Sequence, residues 1–135
     1  MIMNYTRDEL YRLGCRVKVY IEKILGIELY GGVNIYRDEE DRNKYYIRFK
    51  VMNVYTDKPE RIIKVLEEGL GVKGFELHEE VVVIRDYTYY YSCELVRADL
   101  CKWDSMFRIM GFDRYGHNIH YRKLAEKQEA EELDS

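Results

Sequence analysis

Hydrophobic positions recur along this chain with two different periods, and the switches between them predict its elements. Thr6-Arg7-Asp8-Glu9 has the form of a capping box, in which the threonine oxygen accepts from the third helical amide and the glutamate reaches back to the cap's own N–H. Leu10, Leu13, Val17, Tyr20, Ile21, Ile24 and Leu25 then follow at three- and four-residue steps, one face of a helix, and Gly26 is a natural stop. After Gly31-Gly32 the period shortens to two. Val33 to Arg37 reads as a strand, Asp38 to Lys44 as a polar turn, and Tyr45 to Tyr55 as a longer strand with Tyr45, Ile47, Phe49 and Val51 on one side. These two strands make a hairpin.

Asp57-Lys58-Pro59-Glu60 repeats the capping logic, with proline in the first turn where its missing N–H costs nothing. Ile62, Ile63, Leu66 and Leu70 supply the next apolar stripe, which ends near Gly69 or Gly71. Lys73 to Leu77 and Val81 to Arg85 are strand candidates, with His78-Glu79-Glu80 as the turn between them. Tyr87 to Val96 alternates Tyr87, Tyr89, Tyr91, Cys93 and Leu95 against Thr88, Tyr90, Ser92 and Glu94. A third helix, from about Asp99 to Met110, carries Leu100, Trp103, Met106, Phe107 and Met110 on one face and ends at Gly111. Hairpins separated by single helices predict an α+β domain: a twisted antiparallel sheet with helices packed on one face and the other face open. The expected organisation is one domain over residues 1–123, followed by an acidic, helical or frayed tail over 124–135.

Composition narrows the picture without fixing a function. A chain of 135 residues with 47% hydrophobic content and one proline suits one globular domain, and no apolar run approaches the eighteen or so residues of a spanning helix. No membrane partner is therefore expected. The opening Met1 to Leu10 lacks an apolar stretch behind a basic head, so a cytoplasmic location is expected. Cys15, Cys93 and Cys101 lack CxxC spacing and fit reduced thiols. Fourteen tyrosines among many charged residues resemble the makeup common at high temperature.

The net charge of −3 argues against nucleic acid, which needs clustered Lys and Arg. Its distribution softens that argument. Residues 124–135 hold five acids and one base, so subtracting that −4 leaves the remainder near +1, and Arg97 to Lys123 holds six bases against three acids. The tail reads as a solvated helix end or as a self-inhibitory mimic of phosphate.

One stretch points to a family. Ile24-Leu25-Gly26-Ile27-Glu28-Leu29-Tyr30-Gly31-Gly32, with Val33-Asn34-Ile35-Tyr36 as the opening strand, resembles the motif of the LAGLIDADG homing endonucleases, with both motif glycines at Gly26 and Gly32. The Tyr45 to Val51 strand, the Asp57 to Gly71 helix ending Leu70-Gly71-Val72, and a late strand leading into Asp99 to Met110 are similar to the family's αββαββα order over about residues 8 to 112. The resemblance implies DNA binding by the open sheet face, which lies along a groove of duplex DNA as a β-ribbon can. On that reading Arg37, Arg42, Lys44, Arg48 and Lys50 of the first hairpin, with Arg85 and some of Tyr87, Tyr89 and Tyr90 of the second, Tyr87 and Tyr89 first, contact nucleic acid. It also implies a homodimer through the first helix, with Gly26, Leu25, Tyr30 and Gly31 at the interface and Gly14 on the same stripe.

In that family the acid before the final glycine holds a divalent metal that activates water at a phosphodiester. Here that place is Gly31, which has no side chain, and Glu28 is three residues earlier. The resemblance therefore implies a DNA-binding protein without catalytic residues, and a magnesium cofactor only if endonuclease activity is retained. The acidic turn Asp38-Glu39-Glu40-Asp41 opposes phosphate and favours the alternative, a non-enzymatic interaction or scaffold domain whose open face docks a protein partner. Other chemistry is weaker still. His117 and His120 are three apart and would face opposite sides of a strand. A zinc site from Cys93, Cys101, His117 and His120 lacks close-paired cysteines. Gly69-Leu70-Gly71-Val72-Lys73-Gly74 follows a helix instead of opening one, so phosphates would meet the wrong dipole end. An enzyme with an unadvertised pocket is the remaining class.

Overall fold

The capping box forms as its spacing predicts. The Glu9 amide donates to Thr6 Oγ1 at 3.1 Å and the Thr6 amide donates to Glu9 Oε1 at 3.3 Å, which starts α1 at Arg7–Lys23. A computed structural model of the chain describes residues 5–52, 59–81 and 87–112. Among these the elements are α1, β1 (Leu29–Arg37), β2 (Lys44–Val51), α2 (Pro59–Leu70), β3 (Glu76–Val81), β4 (Tyr87–Val96) and α3 (Arg97–Ile109). The strands form one antiparallel sheet in the order β1-β2-β4-β3, with the helices on one side, so the α+β architecture is as expected.

Strand alternation divides the sheet cleanly. Leu29, Val33 and Ile35 of β1, Tyr45, Ile47, Phe49 and Val51 of β2, and Tyr91, Cys93 and Leu95 of β4 are all buried beneath the helices. Leu10, Leu13, Val17 and Ile21 of α1, Ile62 and Leu66 of α2, and Leu100, Trp103 and Phe107 of α3 close the core over them. Two polar tips of the helical layer reach across elements. Trp103 Nε1 donates to the Leu70 carbonyl at 2.8 Å and the Tyr20 hydroxyl donates to the Gly69 carbonyl at 2.7 Å, so α3 and α1 both anchor the orphan carbonyls at the end of α2. Arg16 bridges α1 to Asp104 of α3 at 2.5 Å.

Several boundaries differ from the sequence pattern. The first helix stops at Lys23, because the amides of Ile24 and Leu25 both turn back to the Tyr20 carbonyl and Gly26 takes a left-handed conformation, φ 72°. Leu29 to Gly32 belong to β1, held by the Leu29–Val51 and Tyr30–Lys50 pairings, with a bulge between Tyr30 and Asn34. His78-Glu79-Glu80 lie inside β3, opposite Tyr90, Tyr89 and Thr88, and not in a turn. The third helix begins two residues before Asp99, whose carboxylate accepts the Val96 amide at 2.9 Å. Gly14 is a close-approach residue within the chain: a Cβ there would lie 2.5 Å from the Val33 carbonyl oxygen, so it brings α1 onto β1. The expected Asp57-Lys58 cap, Arg85, the histidines His117 and His120, and the tail over 124–135 lie outside the described residues. No helix of the described residues is long and apolar enough to cross a membrane.

Candidate nucleic-acid interface

The alternation that buries one set of strand residues exposes the other. The outer face carries Tyr30, Asn34 and Tyr36 from β1, Lys44, Tyr46, Arg48 and Lys50 from β2, Tyr90, Ser92 and Glu94 from β4, and Glu76 and His78 from β3. The register sets them in rows across the sheet. Tyr30 pairs with Lys50, which pairs with Tyr90, which pairs with His78; Asn34 pairs with Arg48, which pairs with Ser92, which pairs with Glu76.

Arg48 sits at the centre of this surface. Its guanidinium carbon lies 4.8 Å from the Tyr90 ring centroid and 5.5 Å from that of Tyr36, and Tyr36 stacks on Tyr46 at 5.5 Å with 26° between planes. Stacking of this kind holds a long side chain in place while its N–H groups stay available. Lys44 pairs with Glu94 at 3.6 Å, and that carboxylate raises the lysine's pKa, so Lys44 stays protonated. His78 Nε2 lies 3.6 Å from Glu76 and its ring lies 5.6 Å from Tyr90. Both outer-face acids of β3 and β4 are thus drawn into pairs with basic partners. A depression of about 250 Å³ opens among Tyr30, Gly31, Gly32, Asn34, Arg48, Lys50 and Tyr90.

Of the residues expected to contact nucleic acid, Lys44, Arg48 and Lys50 share this face. Arg37 does not. It pairs opposite Tyr45, so its alternation places it on the helix side, where it lines a groove of about 700 Å³ with Arg7, Leu10 and Arg42. Arg42 lies in the β1–β2 turn, off both strands. Tyr89 is also on the helix side, opposite Val51 and half-buried against the core. Its expected place is filled by Tyr90, one residue later. The backbone of Tyr87 pairs with Val81. In the acidic turn Asp38 accepts the Glu40 amide at 3.2 Å and Asp41 accepts the Asn43 amide at 2.9 Å, which orders the turn without neutralising either carboxylate.

The four expected interface residues do not form one surface on α1. Gly26 lies in the turn beyond the helix, Leu25 packs beside Gly69 of the chain's own α2, and Tyr30 and Gly31 belong to the outer face. Gly31, in the place of the family's metal-binding acid, has φ 81° inside the bulge. Asn34, Tyr36 and Tyr46 were not singled out by sequence, although each occupies the outward alternation that a corrected β1 start reveals.

Elsewhere the chemistry is self-contained. A cleft of about 260 Å³ between α1 and α3 is lined by Tyr5, Glu9, Arg12, Arg16, Asp104 and Arg108; Arg16 and Arg108 pair with Asp104, Arg12 pairs with Asp8, and Glu9 accepts from Thr6. The Cys93 thiol is pushed up to about 12, mainly by burial, and donates to the Lys73 carbonyl, which makes it a poor source of a metal-binding thiolate. Among the described residues no three His, Cys, Asp or Glu side chains converge on a common point. No protein-family model, curated protein or solved structure matches the chain significantly.

Proposed function

We propose that this protein binds double-stranded DNA through the open face of its sheet, as a homodimer-forming subunit similar to a LAGLIDADG homing endonuclease but without cleavage. The observation that carries the reading is the outer face itself. Lys44, Arg48 and Lys50 stand on alternate positions of β2, flanked by exposed tyrosines of β1 and β4, while the apolar positions of the same strands turn inward. Phosphates are neutralised by such cations, and base edges are read by arginine and asparagine side chains standing on a strand. Gly31 supports the absence of cleavage, because the family's metal-binding acid has no counterpart there.

Binding to a mixed-sequence duplex at rising salt tests this. Each neutralised phosphate adds about 0.9 to the slope of log affinity against log salt. Three cations per subunit give a slope of about −2.7 per subunit bound, and Arg48→Ala lowers its magnitude by about 1. Retention of duplex that is absent or insensitive to salt overturns the proposal. In that case the exposed rings of Tyr30 and Tyr36 fit the second reading, a protein partner docking on the same face.

A further inference from the structure

We infer that the depression beside Arg48 is a seat for a single unstacked nucleobase, so that the sheet recognises an unpaired nucleotide within or beside a duplex. This rests on the nucleic-acid reading of the outer face and goes beyond duplex binding. Its support is the lining of the depression, which opens where the β1 bulge interrupts the ladder. Gly31 requires its glycine, since φ 81° is costly for any side chain. Gly32 has no such conformation, and a Cβ built there meets nothing within 4 Å. Both glycines sit in the bulge between Tyr30 and Asn34, where the ladder is interrupted and a side chain is not needed for pairing. They line the depression, which lies in that gap along β1.

The lining has the chemistry of a nucleotide. At about 250 Å³ the depression is smaller than a typical drug-sized pocket of roughly 300 Å³ or more, a size that suits one flat group. Tyr30 is half-exposed and offers a ring for stacking, and the Arg48–Tyr90 pair offers a second planar surface. Asn34 carries adjacent donor and acceptor atoms, a pair that can meet the polar edge of an unpaired base. Lys50 and Arg48 stand where flanking phosphates would need cations.

The test compares three DNAs with the full chain: a fully paired duplex, the same duplex with one extra unpaired adenine, and the same bulge carrying an abasic residue. The adenine bulge should bind about tenfold tighter than either of the others, within the range of one base–ring stack. Gly32→Val, which suits a strand and should melt no lower than the parent, fills the depression and should bring that ratio to about one, whatever it does to overall affinity. Asn34→Ala, a second variant, should lower the same ratio several-fold while leaving affinity for the fully paired duplex unchanged. Equal affinity of the parent protein for all three DNAs overturns the seat and leaves duplex binding standing. Retention of the adenine bulge alone keeps the seat and removes duplex recognition, and failure to bind any of the three removes both.

Discussion

Replacing Gly14 by alanine should destabilise this protein, although alanine is the better helix former. The new methyl carbon would lie 2.5 Å from the Val33 carbonyl oxygen and 3.5 Å from its carbon. Ordinary C–H···O contacts begin at about 3.3 Å, so the carbon is roughly 0.8 Å too close. Neither partner can swing away. The obstacle is strand backbone, and the helix that would have to retreat is fixed by Leu13, Val17 and Ile21, each essentially buried. Overpacking of this kind costs about 1–3 kcal/mol. With backbone as the obstacle the cost falls in the upper part of that range, about 2–3 kcal/mol; set against about 1 kcal/mol gained in helix propensity, this leaves a net loss of about 1–2 kcal/mol and a melting temperature lower by about 3–8 °C. Gly69→Ala is the control. Its methyl would also come within 2.5 Å of a neighbour, but that neighbour is the tip of the Leu25 side chain, which can rotate, so the change should stay within about 1 kcal/mol. Urea unfolding followed by circular dichroism measures both. A Gly14→Ala protein as stable as the parent, or more so, would refute the reasoning, because propensity would then outweigh the contact between α1 and β1.

Other consequences are equally direct. The Tyr91 hydroxyl is buried with no hydrogen-bond partner among the described residues, so Tyr91→Phe should raise stability by about 1 kcal/mol in urea titrations at neutral pH. Burial pushes the same phenol up from its ordinary 10 to about 12, and the neutral form is the one the fold prefers. Its contribution is therefore complete below pH 10 and is lost as pH rises towards 12, and Tyr91→Phe should flatten that alkaline loss. Of the cysteines, exposed Cys101 should react with a thiol reagent well before buried Cys93, which should react only on unfolding, as mass spectrometry of timed samples would show. Glu94→Gln removes the carboxylate paired with Lys44, and should tighten duplex binding a few-fold at low salt if the outer face meets phosphate.

The inner half of this molecule was readable from residue order because burial enforces a period. Tyr45, Ile47, Phe49 and Val51 had to share a face, and the stripe from Leu10 to Ile21 had to meet them. The outer half carries no comparable constraint. Charge type alone grouped Arg37 with Arg48, yet eleven positions apart on an antiparallel hairpin they fall on opposite faces. Tyrosine type alone selected Tyr89 where alternation selects Tyr90. The bulge at Gly31-Gly32 was hidden for a related reason. Two glycines after an apolar run read as a helix-to-strand connection, and only the pairing of Leu29 with Val51 shows that the strand has already begun. His78-Glu79-Glu80 looked like a turn because three polar residues interrupt an apolar pattern, but the strand that holds them lies at the edge of the sheet, where polar side chains are tolerated.

Net charge alone does not describe this surface. A formal −3 counts every acid equally, but the field a ligand meets depends on which acids share its face and which are already paired. On the outer face Glu94 is held by Lys44 and Glu76 lies beside His78, while Arg48 rests between tyrosine rings. Lys44 and Glu94 offset each other, so the sign of the field along β2 is not given by the whole-chain sum, and the salt slope of duplex binding is the measurement that reads it.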